Sequence, residues 1–341
     1  MKNQGQLLPL PKSHKIALVG ALADQPTEVL GAWAISGRES DCVSIRAGLE
    51  KAGAQVVYAP VCGPADAPDS GEMRRELEKA AKDADVIVAV VGETTAMSGE
   101  ASSRADITLP GRQRELLEKL LASGKPVAAV LMNGRPLALK WEAEHVPAIL
   151  ECWHLGVQMG NAVANVLLGE RAPEGKLASS FPAVTGMCPI YYNHPNTGRP
   201  GGRSKFTSRY LDAGFEPLYP FGYGLSYTTF AYDNLEVAET EDALRVTVDV
   251  SNTGDRAGVE TVQLYMQDVT ASIVRPVKEL KGFAKAALAP GEKKSVSLTL
   301  EKKDMGFYKD DGSYVLEDGK FRVYVGGNSK DCLMEEVEIQ F

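Results

Sequence analysis

Residues 86–111 read VIVAVVGETTAMSGEASSRADITLPG, and this stretch decides the fold. Val86, Ile87, Val88, Ala89, Val90 and Val91 form an unbroken, largely β-branched apolar run. Polar residues do not alternate with it, so neither face of such a strand meets water, as in the interior of a parallel sheet. Gly92 ends the run and the chemistry inverts. Glu93 and Glu100 bracket small and polar residues, Arg104 and Asp106 follow, and Pro110 and Gly111 lead into a helical pattern. In an open α/β sheet, ligands bind beyond the carboxyl ends of the strands. A long acidic loop at such an end is either a binding site or a solvated surface loop, and residue type alone leaves both readings open.

The flanking sequence repeats the same alternation of buried strand and amphipathic helix. KIALVGAL (15–22), AQVVYAP (54–60), PVAAVLMN (126–133) and AILECW (148–153) read as strands. SIRAGLEKAG (44–53), EMRRELEKAAKDA (72–84), RQRELLEKLLASGK (112–125) and GNAVANVLLG (160–169) read as helices, several of them closed by glycine. Leu116, Leu117, Leu120 and Leu121 fall on one helical stripe. Together they predict a doubly wound, mostly parallel α/β sheet with helices on both faces. Neither GxGxxG after the first strand nor GxxxxGK[ST] is present, so the usual nucleotide signatures are missing.

Beyond this the character changes. Residues 182–229 crowd Pro, Gly, Asn and aromatics (Tyr191, Tyr192, Tyr210, Tyr219, Phe221, Tyr223 and Tyr227) into an irregular connection that must pack onto something. From Phe230 the pattern becomes all-β. Leu244, Val246, Val248 and Val250 alternate with polar residues, as do Val296, Leu298 and Leu300, and Phe321, Val323 and Val325. Turn signals at Asn252-Thr253-Gly254, Pro290-Gly291 and Asp311-Gly312 separate the runs. Short alternating strands with regular turns predict a β-sandwich of about 100 residues, of immunoglobulin or fibronectin type III type. The expected division is a linker at 1–14, an α/β domain at 15–181, an irregular linker at 182–229 and the sandwich at 230–341.

Composition narrows the function classes. The 341 residues carry a formal charge of -8 with acids and bases interspersed, which argues against a nucleic-acid surface. No apolar run approaches the ~20 residues of a membrane span. The apolar piece of the N-terminus, Leu7 to Leu10, is far short of the roughly 7–15 residues of a signal h-region, which predicts a cytoplasmic product if the chain is complete. The five cysteines, Cys42, Cys62, Cys152, Cys188 and Cys332, are odd in number and lack CxxC spacing. They predict neither a disulfide framework nor a zinc site.

Specific segments add a resemblance. KNQGQLLPL (2–10), GEASSRADITLPG (99–111), MNGRPLAL (132–139), GERAPEGKLASSFP (169–182), YYNHPNTGRP (191–200), PLYPFGYGLSYTTF (217–230) and DVTASIVRPVKELKGF (268–283) stand in this order along nearly the whole chain. They resemble the later half of glycoside hydrolase family 3, nearest the bacterial periplasmic β-glucosidase branch. The resemblance implies a retaining, exo-acting glycosidase without a cofactor or metal. It also implies a periplasmic or secreted setting, and allows a homodimer. In that family the nucleophilic aspartate sits on an N-terminal (β/α)8-type barrel, which this chain would meet in cis or in trans. The nucleophile is therefore expected outside this sequence.

The same resemblance assigns the general acid/base to Glu100. A retaining glycosidase sets two carboxyl groups about 5–5.5 Å apart across the scissile bond, one attacking and one exchanging protons. The barrel and a bound sugar would desolvate Glu100, so in this chain by itself it is expected to be solvated. Glu93, at the strand end, is expected to support the loop or pair with Arg104, and Arg104 with Asp106 offers a second ion pair. Arg135, in an Asn133-Gly134-Arg135 turn on the same rim, is a sugar-contact candidate beside a plain turn reading. Tyr192, Asn196 and Arg199 belong to a loop that borders the substrate in the family, although packing is the commoner fate of a tyrosine. Trp153 and His154 end a strand, and the turn after them, Gly156-Val157-Gln158-Met159-Gly160, departs from the family's GxxGG. Two rival readings remain at this stage: a non-catalytic carbohydrate-binding subunit docked on a separate barrel, and an unrelated doubly wound ligand-binding protein fused to an adhesion-type sandwich.

Overall fold

The structure is a computed structural model that describes residues 1–62, 70–202 and 204–341. The side chains at 70 and 72–74 also fall outside the description. So do the opening side chains of the helix expected over 72–84, and Arg203 in the linker. The chain divides into two compact units. One comprises Met1–Ala172 with Pro182–Gly186, the other Pro173–Phe181 with Met187–Phe341.

The first unit is built on a six-stranded sheet. Its strands are β1 (Lys2–Asn3), β2 (Lys15–Val19), β3 (Gln55–Ala59), β4 (Val86–Gly92), β5 (Val127–Met132) and β6 (Ala148–Glu151). The order across the sheet is β1-β6-β5-β4-β2-β3. All neighbours are parallel except β1, which runs antiparallel to β6. Every residue of β4 and of β5 is buried, as the apolar runs predict. The helices are α1 (Ile45–Lys51), α2 (Ser70–Ala81), α3 (Gln113–Ala122), α4 (Lys140–His145) and α5 (Met159–Leu167). Ser44 caps α1 by accepting the Ala47 N–H at 3.1 Å.

The order in which strands are added reverses at β2. The crossover to β3 goes one way, and those to β4, β5 and β6 go the other. Right-handed crossovers then put α1 on one face of the sheet and α2, α3 and α4 on the other. α5 joins α1 on its face. A reversal leaves a notch beyond the carboxyl ends of the two strands concerned, here β2 and β4. Their paired register ends at Val19 with Ala89, after which β2 turns away at Gly20 while β4 runs on to Gly92. Gly20 has φ +114°, and a Cβ there would lie 2.2 Å from Val90 O. Only glycine lets the departing chain stay so close.

The second unit is a β-sandwich. One sheet has the order β10-β9-β14-β15 and the other β11-β8-β7, and a small hairpin joins β12 to β13. The strands are β7 (Phe230–Glu239), β8 (Ala243–Asn252), β9 (Gly258–Asp268), β10 (Glu279–Leu288), β11 (Lys293–Glu301), β12 (Phe307–Tyr308), β13 (Tyr314–Val315), β14 (Gly319–Gly326) and β15 (Cys332–Ile339). Leu244, Val246, Val248 and Val250 meet Phe321, Val323 and Val325 in its core, the inward sets read from the alternation. Along β9 that alternation fails, because its outer face is covered too. Tyr265 is fully buried under Tyr192 and Phe221 of the aromatic-rich segment.

Candidate functional site

The site grows from the carboxyl end of β4. Glu93 is wholly buried and ionisable, so it requires cations. Two arginines supply them. Arg104 Nη1 donates to Glu93 Oε1 at 2.6 Å, and Arg135 Nε lies 3.0 Å from the same oxygen. Both guanidiniums then turn their remaining donors to the loop backbone. Arg104 Nη2 donates to Thr108 O at 3.0 Å. Arg135 Nη2 donates to Met97 O and, at 2.7 Å, to Ser102 O. Asn133 Nδ2 donates to Arg135 O at 2.9 Å and fixes the turn that delivers the arginine.

Glu100 lies between the two carbonyls that Arg135 holds. It is exposed, at the tip of a tight turn. Ser102 N–H donates back to Gly99 O, and Ser102 Oγ to Ala96 O. Gly99 (φ +97°) and Ala101 (φ +59°) carry the bend on either side. The carboxylate thus projects into solvent from a backbone anchored on a buried ion cluster.

The Arg104–Asp106 pair offered by the sequence gives way to the Arg104–Glu93 pair. An unpaired carboxylate without solvent costs far more than an exposed one, so the buried acid takes the cation. Asp106 instead accepts the Thr108 N–H at 2.9 Å. That amide is the main reason its carboxyl sits below the ordinary range, with the Thr108 and Thr185 side chains adding to it.

Tyr192, Asn196 and Arg199 belong to the second unit. Tyr192 stacks on Phe221 with ring centroids 4.2 Å apart, and its Oη accepts the Leu280 N–H at 3.2 Å. Asn196 Oδ1 accepts the Gly198 N–H at 3.0 Å, a turn built on its own side chain. The Arg199 side chain is exposed. Among the described residues no group of three or more His, Cys, Asp and Glu side chains converges on a metal-sized space.

Several participants escaped the sequence reading. Gln113 is fully buried, and its carboxamide takes the Gly92 N–H on Oε1 at 2.6 Å and gives Nε2–H to Gly92 O at 2.9 Å. Periodicity marks it only as a first helical residue. Glu28 Oε2 accepts the Thr95 N–H at 2.6 Å and ties a neighbouring short helical segment, Pro26–Leu30, to the loop. Trp33 lies 70% exposed, its Nε1 3.8 Å from where a Cβ would stand on Gly99. A large ring left in water beside an acidic loop is a signal, but only once the fold has brought residues 33 and 99 together. Glu151, at the end of β6, has its Oε2 buried without a partner, and burial raises its carboxyl to about 8.

Comparisons with known proteins converge. The family described as "Glycosyl hydrolase family 3 C-terminal domain" matches residues 1–227, and "Fibronectin type III-like domain" matches residues 260–329. A periplasmic beta-glucosidase of Salmonella typhimurium is 45% identical over 96% of this chain and 47% of its own length. A beta-xylosidase of Formosa agariphila is 39% identical over 97% of this chain and 47% of its own. The crystal structure of a Listeria innocua beta-glucosidase in complex with isofagomine superposes with a TM-score of 0.93 at 41% identity, covering 99% of this chain and 48% of that one. The chain spans about half the length of the curated relatives it matches.

Proposed function

Because the chain belongs to glycosyl hydrolase family 3, as its C-terminal domain with a fibronectin type III-like domain, we propose that it carries the proton-exchanging half of a retaining, exo-acting β-glucosidase. Glu100 is the general acid/base. In the first step a carboxylate from a barrel domain attacks the anomeric carbon while Glu100 gives its proton to the departing glycosidic oxygen. In the second, Glu100 takes a proton from water, and that water's oxygen displaces the barrel carboxylate from the sugar. The barrel lies elsewhere in the same polypeptide or in a separate one, and the setting is periplasmic, like that of the Salmonella relative.

The observation that carries this reading is the support under Glu100. An exposed carboxylate on a mobile loop would position a proton poorly. Here Arg135 holds the backbone on both sides of it and is itself fixed by a carboxylate that water cannot reach. Rigid presentation toward an outside partner is what an acid/base serving a second domain needs.

The test is Glu100→Ala in the enzyme that joins this chain to its barrel. Turnover of an unactivated β-glucoside should fall about 10²–10⁴-fold. A dinitrophenyl glucoside needs no proton on its leaving group, so its first step should persist, and azide should restore turnover with formation of β-glucosyl azide. Unchanged turnover, or no rescue by azide, would remove Glu100 from the role.

A further inference from the structure

Along β4 the backbone groups point alternately to the two neighbouring strands. Ile87 N–H reaches Pro126 O, and Glu93 N–H reaches Met132 O at 2.6 Å, so odd-numbered residues face β5. Gly92 therefore turns its N–H and C=O toward the β2 side. No strand remains there, because the pairing with β2 ends at Ala89 and β2 departs at Gly20. At this point a doubly wound sheet has an open notch, and a buried Gly92 amide would be left with two unmet hydrogen bonds.

We infer that Gln113 stands in for the missing strand: its carboxamide replaces the peptide group that β2 no longer offers, fixes Gly92, and so sets the position of Glu93 and of the loop bearing Glu100. The inference rests on the acid/base reading of that loop. A primary amide presents the same donor and acceptor as a peptide group, and Gln113 engages both on one residue, at 2.6 and 2.9 Å, with no exposure of its own. Gly92 also packs directly against β5, since a Cβ on it would lie 1.8 Å from Met132 O. The next residue is Glu93, whose carboxylate orients Arg104 and Arg135. Arg135 in turn holds the carbonyls of Met97 and Ser102. From Gln113 to the turn around Glu100, each link is a hydrogen bond or a covalent neighbour. Gln113 touches no substrate in this scheme, so it is a positioning residue.

Three side chains separate the possibilities. Methionine matches the length of glutamine without its hydrogen bonds. Asparagine keeps the amide but is one methylene too short to reach from α3. Glutamate, when protonated, restores both bonds, its C=O accepting from Gly92 and its O–H donating to it. When ionised it loses the donor and sets a second negative charge beside Glu93.

Two readouts are needed. In this chain, hydrogen exchange of the Gly92 amide should quicken at least ~10-fold in Gln113→Met and Gln113→Asn, with unchanged far-ultraviolet circular dichroism. In the enzyme joined to its barrel, the same variants should lose ~10–100-fold in kcat on an aryl β-glucoside while KM moves little, as misplacement of a reacting group requires. Gln113→Glu should recover exchange protection and kcat, relative to wild type, at pH 5 and lose both reversibly at pH 8. If Met or Asn does not fold, the pH comparison on Gln113→Glu decides. Normal exchange and kcat in Gln113→Met, or equal defects of Gln113→Glu at both pH values, overturns the inference. A wild-type assembly that cleaves no β-glucoside would sink the glycosidase reading, and Gly92 exchange would still judge the clamp.

Discussion

At the scale of single residues, Glu93 shows how burial dictates partners. Its side chain is 0% exposed, whereas Arg104 and Arg135 keep 19% and 21%, so the acid is the desolvated member of the cluster. Removing one charge from such a group leaves the others uncompensated. Glu93→Gln should therefore destabilise the first unit by roughly 3–5 kcal/mol in urea unfolding, far more than loss of an exposed pair such as Arg114–Glu118. Glu151 carries a different expectation, with an explicit sign. Burial raises its carboxyl from 4.5 to about 8 in the fold, so between those values the folded state keeps a proton that the unfolded chain has released. The contribution of Glu151 to stability should fall as pH climbs through that window and level off above it, opposed between about pH 6 and 8 by the buried Met1 amine, whose pKa is lowered to about 6. Unfolding curves at pH 5, 7 and 9 should show the stability of the wild type relative to Glu151→Gln falling with pH. Part of the cluster could be read from the chain itself: Glu93 follows a strand end and Arg104 was its expected partner, whereas Arg135, a sugar-contact candidate in the sequence, turns out to be bound to Glu93 as well. Gln113 could not, because nothing in a helical period distinguishes a polar residue aimed at a strand from one aimed at water. Arg104 was offered two carboxylates, and only the fold shows which of them is dry.

At the scale of elements, β4 and β5 were plain from uninterrupted apolar runs, and β8, β11 and β14 from strict alternation. The strands β7, β10 and β15 carry no such signal. DNLEVAE, ELKGFAKAAL and CLMEEVEI mix charges into both faces, as edge strands do, and so lose the period that betrays a strand. In β9 both faces are covered, which erases the period in the opposite way. The end of β4 is packed tightly against β5. Gly92 holds φ +136°, and an added methyl would collide with the Met132 carbonyl. Gly92→Ala should cost about 2–5 kcal/mol, readable as a lowered thermal midpoint and faster exchange of the amides at residues 92 and 93. An alanine placed instead at Gly124, which has open space but φ +73°, should cost less, because only backbone strain opposes it.

At the scale of the whole molecule, the two units do not follow one another in sequence. Residues 173–181 belong to the sandwich, where Phe181 pairs with Tyr219, Leu177 N–H donates to Tyr223 O at 2.8 Å, and Lys176 Nζ meets the buried Glu260 at 3.1 Å. A fragment starting at residue 230, where alternation begins, would lack these contacts and the Tyr192–Phe221 cover over Tyr265. It should lose near-ultraviolet dichroism and bind a hydrophobic dye, while a fragment starting at residue 173 should stay folded. The pentapeptide Pro182–Gly186 returns to the first unit before the chain re-enters the second. The polypeptide therefore passes between the units at 172–173, 181–182 and 186–187. For anyone grafting a foreign sandwich onto this α/β scaffold, a single splice will not do. The donor must bring its own counterpart of 173–181, sewn in ahead of a five-residue stitch that stays with the recipient.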